Sequence, residues 1–159
     1  MLKLKVDFWK NSIDVGTFIV DNVSGKPHKL LMTFDTGAYM TSIDSFVLKQ
    51  AGYDIDSGKD AFVDTIGRKD VPAKEILVRG LELECIDLAR VSLGPVLVHA
   101  IDMSDTFTVG VLGLNVIREF VTKIEFGSNT IIELVPTFDI SSAETFDNFL
   151  PGSSRFGVW

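Results

Sequence analysis

Apolar and polar residues alternate along much of this chain. Near the start, apolar residues occupy every second position from Leu2 to Phe8, which is the period of a β-strand with one buried face. Turn residues such as glycine, proline, asparagine and serine separate further segments of the same kind. Short strands are predicted at residues 17–20, 29–34, 62–66, 71–78, 81–88, 91–101, 121–126 and 130–135. Many short strands at regular spacing predict an all-β barrel or sandwich.

Helical periodicity is limited to two short segments. Residues 42–51 carry apolar side chains at helical spacing, with Ser42 as the predicted N-cap and Gly52 as the stop. One further helical turn is predicted at residues 115–120. The sequence therefore predicts an all-β protein with one or two short helices.

The length and composition are those of one domain. The chain has 159 residues, of which 46% are hydrophobic and 12 are Phe, and this is enough for a sizeable core. Residues 136–159 differ from the rest because they are rich in Ser, Asp and Phe. We therefore expect one domain over residues 1–135, followed by a C-terminal tail over residues 136–159 that is either an arm or a flexible extension.

Charge and cysteine content exclude several classes of protein. The 22 Asp and Glu outnumber the 15 Lys and Arg, and basic residues are not clustered, so nucleic acid and anionic membranes are not expected as partners. No apolar run is long enough to span a membrane, and the alternating N-terminus does not resemble a signal peptide. Cys85 is the one cysteine, which precludes an internal disulfide and fits a reducing compartment. The predicted location is the cytoplasm.

No metal and no other cofactor is expected. His28 and His99 are far apart in the sequence, and the acidic residues do not form a calcium-loop pattern. Both histidines are interpreted as surface or structural residues. They give no support to a Ser-His-Asp arrangement either.

One short motif carries chemistry. The apolar segment 30–34 ends at Asp35, which is followed by Thr36, Gly37 and Ala38. A carboxylate at the end of an apolar strand, beside a hydroxyl and a glycine, suits acid–base catalysis of peptide hydrolysis. Glycine permits a positive φ and a close approach of two backbones. The threonine hydroxyl can hydrogen-bond a neighbouring backbone group and make the turn rigid.

The motif occurs once, whereas water activation of this kind needs two carboxylates. Two carboxylates forced together cannot both ionise, so one acts as a base toward water while the other polarises the scissile carbonyl. A symmetric dimer brings the same loop of each subunit together, so one Asp35 per chain would give two per site. Asp102 and Asp105 are interpreted as loop acids because neither is followed by Thr-Gly or Ser-Gly.

The motif at residues 34–38 and the segment 109–117 (Val-Gly-Val-Leu-Gly-Leu-Asn-Val-Ile) resemble those of retropepsin-like aspartic peptidases. These are the single-domain relatives of the retroviral proteases, and the chain is most similar to their cellular and bacterial members. The resemblance covers about residues 1–135. It implies a closed β-barrel of the acid-protease type with Asp35 as the catalytic carboxylate.

The same resemblance implies supporting roles for three short segments. Residues 60–73 stand where the family has its flap, a hairpin that covers the substrate. The sequence departs from the family at Tyr39, where small or polar residues are common, and a tyrosine there would narrow the cleft or pack under it. The implied residues are Thr36, Gly37 and Ala38 in the supporting turn, Ile66, Gly67 and Arg68 in the flap, and Leu112 and Gly113 in the second loop of a knot-like core.

The sequence thus predicts a homodimeric aspartic endopeptidase that acts on polypeptides without a metal or cofactor. One alternative is a non-catalytic module of the same fold that binds peptides or serves in dimerisation. A second is a structural β-barrel in which Asp-Thr-Gly is only a turn, since these residues are common in turns.

Overall fold

Two β-sheets make up most of the computed structural model, which describes residues 1–9, 12–65, 67–87, 89–127 and 129–137. The strands are β1 (Leu2–Leu4), β2 (Val6–Trp9), β3 (Ser12–Val20), β4 (Pro27–Phe34), β5 (Ser42–Asp44), β6 (Lys59–Thr65), β7 (Arg68–Val78), β8 (Leu81–Glu84), β9 (Arg90–Ser92), β10 (Val96–Ile101), β11 (Gly110–Leu112), β12 (Phe120–Glu125) and β13 (Ile131–Pro136). The helices are α1 (Ser45–Gln50) and α2 (Leu114–Ile117). Neither described helix is long enough to cross a membrane.

The larger sheet has the strand order β6-β7-β10-β5-β11-β4-β3-β8-β9, with β2 paired to β3. The smaller sheet has the order β1-β13-β12. The prediction of a mainly β fold with one or two short helices is therefore confirmed. Over the described residues the hydrogen-bonded order leaves both sheets open, so closure into a barrel stays a prediction.

Strand β11 lies between two strands that are close neighbours in the sequence. It is parallel to β4, with Leu112 opposite Phe34, and antiparallel to β5, with Val111 opposite Ser42. A strand from the C-terminal half thus separates two strands of the N-terminal half. This insertion brings the end of β4, which leads into Asp35, beside the end of β11.

One hydrophobic core spans both sheets. Along β4 the inward residues Leu30, Met32 and Phe34 are buried while Leu31 between them is exposed, as the period of two requires. The same cluster includes residues of α1, α2 and the smaller sheet. Both sheets therefore share one main hydrophobic core, and a single domain over residues 1–135 stays a prediction. Strand β13 ends at Pro136, and residues 138–159 of the predicted tail lie outside the described residues.

The predicted helix at residues 42–51 is wrong at its start. Its first three residues form β5, which pairs with β10 on one side and β11 on the other. The N-cap is Asp44 and not Ser42: its Oδ1 accepts hydrogen bonds from the N–H groups of Phe46 (2.9 Å) and Val47 (3.2 Å). Sheet pairing on both sides outweighs the local helical pattern here.

Asp44 also binds the segment around Met103, because its Oδ2 accepts a hydrogen bond from the N–H of Met103 at 2.8 Å. We expect Asp44→Ala to lower the free energy of unfolding by about 2–3 kcal/mol, since the cap is lost and a buried N–H is left without an acceptor. Urea denaturation at one fixed protein concentration measures this. The exposed Asp56→Ala is the control and should change stability by less than about 0.5 kcal/mol. Equal effects of the two substitutions would contradict the capping role.

Candidate active site

The Asp35 carboxylate is held within a tight turn directly after β4. Its Oδ1 accepts a hydrogen bond from the N–H of Gly37 at 2.8 Å, and its carbonyl oxygen accepts one from the N–H of Ala38 at 3.3 Å. The side chain is half-buried, and Oδ2 has no hydrogen-bond partner among the residues that the structure describes. One carboxylate oxygen is therefore fixed while the other is available to water or to a second acid.

The roles expected of Gly37 and Thr36 differ from those in the structure. Gly37 is not among the glycines with a positive φ. A Cβ at Gly37 would lie 3.1 Å from Asp35 Oδ1, so its small size, and not its φ, gives the carboxylate room. Thr36 is exposed, and in the described part of the chain its hydroxyl makes no hydrogen bond. The expected rigidifying bond from Thr36 is thus not found among the residues that the structure describes.

The second loop holds the backbone of the turn. The N–H of Asp35 donates to the carbonyl of Leu112 at 3.2 Å. The N–H of Leu114 donates to the carbonyl of Ala38 at 2.8 Å, and that of Asn115 to the carbonyl of Tyr39 at 3.2 Å. Residues on both sides of Gly113 therefore bind the turn along its length.

Thr41 and Asn115 form a buried polar junction between the two loops, in place of the expected bond from Thr36. Asn115 Oδ1 accepts hydrogen bonds from the backbone N–H of Thr41 (2.7 Å) and from its hydroxyl (2.8 Å). The Thr41 hydroxyl oxygen in turn accepts one from the N–H of Gly113 at 3.0 Å. Asn115 Nδ2 donates to the carbonyl of Leu97 at 3.0 Å. Neither Asn115 nor Thr41 is predicted from the sequence to take part in the site. The available signal was a lone amide in the apolar segment 111–117.

Gly113 lies where the two loops are in contact. A Cβ at this position would lie 2.5 Å from the carbonyl carbon of Met40 and 2.7 Å from the nitrogen of Thr41. Its backbone is extended, with φ −100° and ψ −179°. A side chain is excluded here by the close approach of two backbones, and not by an unusual φ.

The predicted flap is the hairpin of β6 and β7. Gly67 at its tip has φ +81° and open space where a Cβ would be, while Ile66 lies outside the described residues. The strands predicted at 62–66 and 71–78 leave residues 67–70 as the turn. In the structure β7 already begins at Arg68, so the turn is shorter than this prediction. Arg68 is exposed, with Nη1 3.7 Å from Oδ2 of the exposed Asp105. The tip of the β6–β7 hairpin therefore reaches the loop between β10 and β11.

The other singled-out residues lie outside the Asp35 turn. Asp102 is exposed and accepts a hydrogen bond from the N–H of Ser104 at 2.9 Å, and the hydrogen bonds from Ser104 lower its pKa. His28 is exposed beside Asp21, with 3.1 Å between Nε2 and Oδ2. His99 is largely buried, and burial lowers its pKa. Among the described residues, no group of His, Cys, Asp or Glu side chains has an arrangement that could hold a metal ion.

Tyr39 does not pack under the turn. Its side chain is 72% exposed while its carbonyl is fixed by Asn115.

An apolar groove of about 540 Å³ between α1 and the loop before β11 does not include Asp35. Its apolar lining residues are Phe46, Val47, Met103, Phe107 and Val109. An enclosed cleft over Asp35 would require a second surface facing the turn.

The junction at Thr41 yields a direct test. We expect Thr41→Val to lower the free energy of unfolding by about 1–3 kcal/mol, because the buried N–H of Gly113 loses its acceptor. Thr41→Ser keeps the hydroxyl and should cost at most about 1 kcal/mol for the lost methyl group. Denaturant titration of both variants at the same protein concentration separates the two contributions. A serine variant as unstable as the valine variant would show that the hydroxyl does not hold the junction.

Comparison with known proteins supports the same architecture. No protein-family model matches the sequence, and no curated protein matches it. Among solved structures, the chain is similar to the crystal structure of a retropepsin-like aspartic protease from Rickettsia conorii. The two chains are 16% identical, the match covers 84% of this chain and 88% of that one, and the TM-score is 0.56. Similarity at this identity shows the fold, so the resemblance drawn from residues 34–38 and 109–117 is confirmed at that level: this chain has a retropepsin-like fold.

Proposed function

We propose that this chain is a homodimeric aspartic endopeptidase whose active site contains Asp35 from each of two copies. The observation that carries the proposal is the state of the Asp35 carboxylate at the end of β4. Its Oδ1 is fixed by Gly37, and its turn is locked to the second loop at Leu112 and Leu114. The Asp35 carboxylate is thus held in one position. Water activation of the proposed kind also needs a second carboxylate beside it.

Two Asp35 carboxylates close together would share one proton, because the second ionisation places two negative charges side by side. The ionised carboxylate takes a proton from water, and the resulting hydroxide attacks the scissile carbonyl carbon. The protonated carboxyl donates its hydrogen to the carbonyl oxygen as the tetrahedral intermediate forms. The carboxyl that took a proton from water then donates it to the leaving amine as the C–N bond breaks. The chemistry uses only the two acids and water.

The substrate would be a polypeptide bound in an extended form. Strand β6 is the edge of the larger sheet, and an extended peptide can be added to such an edge as a further strand. The floor below is the rigid turn around Asp35. Closure of the two hairpins of the dimer would exclude water from the two carboxylates. We include a closed acid-protease barrel in this proposal.

We also propose a cytoplasmic location and no nucleic-acid partner. The excess of acidic over basic residues opposes binding to polyanions. Cys85 is buried and free, which agrees with a reducing compartment.

The decisive experiment is Asp35→Asn. The amide keeps an oxygen that can accept the hydrogen bond from Gly37, but it cannot take a proton from water. We expect turnover of a peptide library to fall by about 10²- to 10⁴-fold, with unchanged circular dichroism and oligomeric state. Asp102→Asn is the matched control in an exposed loop and should leave turnover unchanged. Equal turnover in wild type and Asp35→Asn would remove Asp35 from the mechanism. A folded dimer that hydrolyses no peptide would favour the non-catalytic binding module.

Gly67 tests the role of the flap. A β-branched residue is disfavoured at φ +81°, so Gly67→Val should distort the tip and lower turnover without loss of the dimer. Gly25→Val is a matched control, because Gly25 also has a positive φ (+70°) and open space around it, but lies in the turn at the far end of β4. Steady-state kinetics and sedimentation of both variants give the comparison. Equal losses of turnover would mean that the effect is general strain and not flap closure.

A further inference from the structure

The apolar groove between α1 and the loop before β11 is a surface that the proposed hydrolysis does not use. Asp35 is not among its lining residues. Phe46 on α1 and Val109 at the end of the loop both line the groove, and they are 65% and 40% exposed. Large apolar side chains gathered in one exposed groove indicate an interaction site.

The groove is formed before any partner binds, because Asp44 joins its two walls. Asp44 caps α1, and its Oδ2 accepts a hydrogen bond from the N–H of Met103 at 2.8 Å. Its own N–H donates to the carbonyl of Val109 at 2.9 Å. The loop is thus held at both ends against the start of α1. Binding to a preformed groove costs less ordering entropy than binding to a mobile surface.

The C-terminal tail is rich in apolar side chains. Residues 138–159 follow the last described residue, and eight of these 22 residues are large and apolar. Segments that stay in solvent are usually poor in such residues, so we expect the tail to bury some of them. They are Phe138, Ile140, Phe146, Phe149, Leu150, Phe156, Val158 and Trp159. Three of the eight lie together in the segment 146–150.

The tail starts close enough to the groove for this segment to reach it. The N–H and the hydroxyl of Thr137 both donate to the carbonyl of Glu119, at 3.1 and 2.9 Å. Ten residues lead from Val109 to Glu119, and they include β11 and the four residues of α2. This stretch spans at most about 30 Å. Phe149 is twelve residues beyond Thr137, and an extended chain of that length covers about 40 Å.

We propose that the tail folds back onto the groove of its own chain and that the segment 146–150 occupies it. In this arrangement Phe149 lies against Phe46 and Val109. The tether gives the segment a local concentration on the order of millimolar at the groove, which favours it over free partners. The apolar group at 156–159 would need a longer loop, with a larger entropy of closure. The inference does not depend on hydrolysis, because none of these observations involves Asp35.

Proteolysis of the full-length chain tests whether the groove protects the tail. All variants carry Asp35→Asn, so that no peptidase activity of the chain itself cuts the tail. Chymotrypsin cuts after Phe149 only while the segment is detached, so the rate of this cut reports the detached fraction. We expect Phe46→Ser, which leaves the tail sequence unchanged, to raise this rate at least about tenfold. The matched control is Phe62→Ser on β6, which alters an equally exposed ring and should leave the rate unchanged.

A thiol placed in the groove gives the reciprocal measurement. Val109→Cys puts a reactive group on the wall, whereas Cys85 is buried and burial raises its pKa, so it reacts slowly. We expect a maleimide to modify Val109→Cys at least about tenfold faster when Phe149→Ser is also present. Val23→Cys is the control, because Val23 is exposed in the turn between β3 and β4. Its rate should not respond to Phe149→Ser.

The two rates together decide the proposal. Reciprocal increases that do not depend on protein concentration support docking within one chain. Protection that disappears on dilution by about a hundredfold assigns the tail to the groove of a second copy and overturns docking within one chain. A cut after Phe149 that does not respond to Phe46→Ser overturns the docking itself. A response to Phe156→Ser but not to Phe149→Ser overturns the choice of segment. The proposed hydrolysis is tested separately by the turnover of Asp35→Asn and does not change with any of these outcomes.

Discussion

The hydrogen bonds between Thr41 and Asn115 hold together the part of the molecule on which the rest depends. They are buried, and they join residues 74 positions apart in the sequence. A buried amide whose hydrogen bonds are made adds to the stability of the fold. The same amide without partners would cost more free energy than one hydrogen bond contributes. The two loops therefore pack correctly together or not at all. The absence of a side chain at Gly113 lets their backbones touch, and the polar junction then selects one arrangement of them.

Much of this architecture could be predicted from local sequence patterns. The period of two identified most strands, and the closing hairpin of β12 and β13 appeared where the turn residues indicated it. The position of Asp35 after an apolar strand was also visible. The failures share one cause. Residues 42–44 have a helical pattern but become β5, because two strands from distant parts of the chain pair with them. The sequence gives no sign of the role of Thr41, because its partner Asn115 is 74 positions away.

Gly37 shows a similar limit at the level of one residue. The sequence indicates that a glycine is needed after Asp-Thr, but it does not distinguish a special φ from a need for space. The structure distinguishes them, since a Cβ at Gly37 would crowd the oxygen of Asp35. At Gly67 the opposite holds, because there is open space and a positive φ. Gly37 and Gly67, both predicted as site residues, thus serve different physical needs.

The Asp35 turn and the β6–β7 hairpin are held to different degrees. The turn is held by backbone and side-chain hydrogen bonds between two loops, which resist local opening. The β6–β7 hairpin meets the loop between β10 and β11 at its tip through an exposed ion pair, which contributes little to stability. The carboxylate of Asp35 is therefore held more firmly than the tip of the hairpin.

The insertion of β11 between β4 and β5 has a consequence for how the chain acquires its structure. Strands β4 and β5 have no hydrogen bonds to each other, so the centre of the larger sheet cannot assemble until the residues of β11 arrive. Pairing between segments so distant in sequence requires closure of a long loop before any contact compensates for the lost entropy. We therefore expect folding to be slow relative to that of helical proteins of this size, because the N-terminal half alone lacks the strand between β4 and β5. The strand that fills this gap leads directly into Gly113, so the centre of the larger sheet and the contact between the two loops depend on the same segment of the chain.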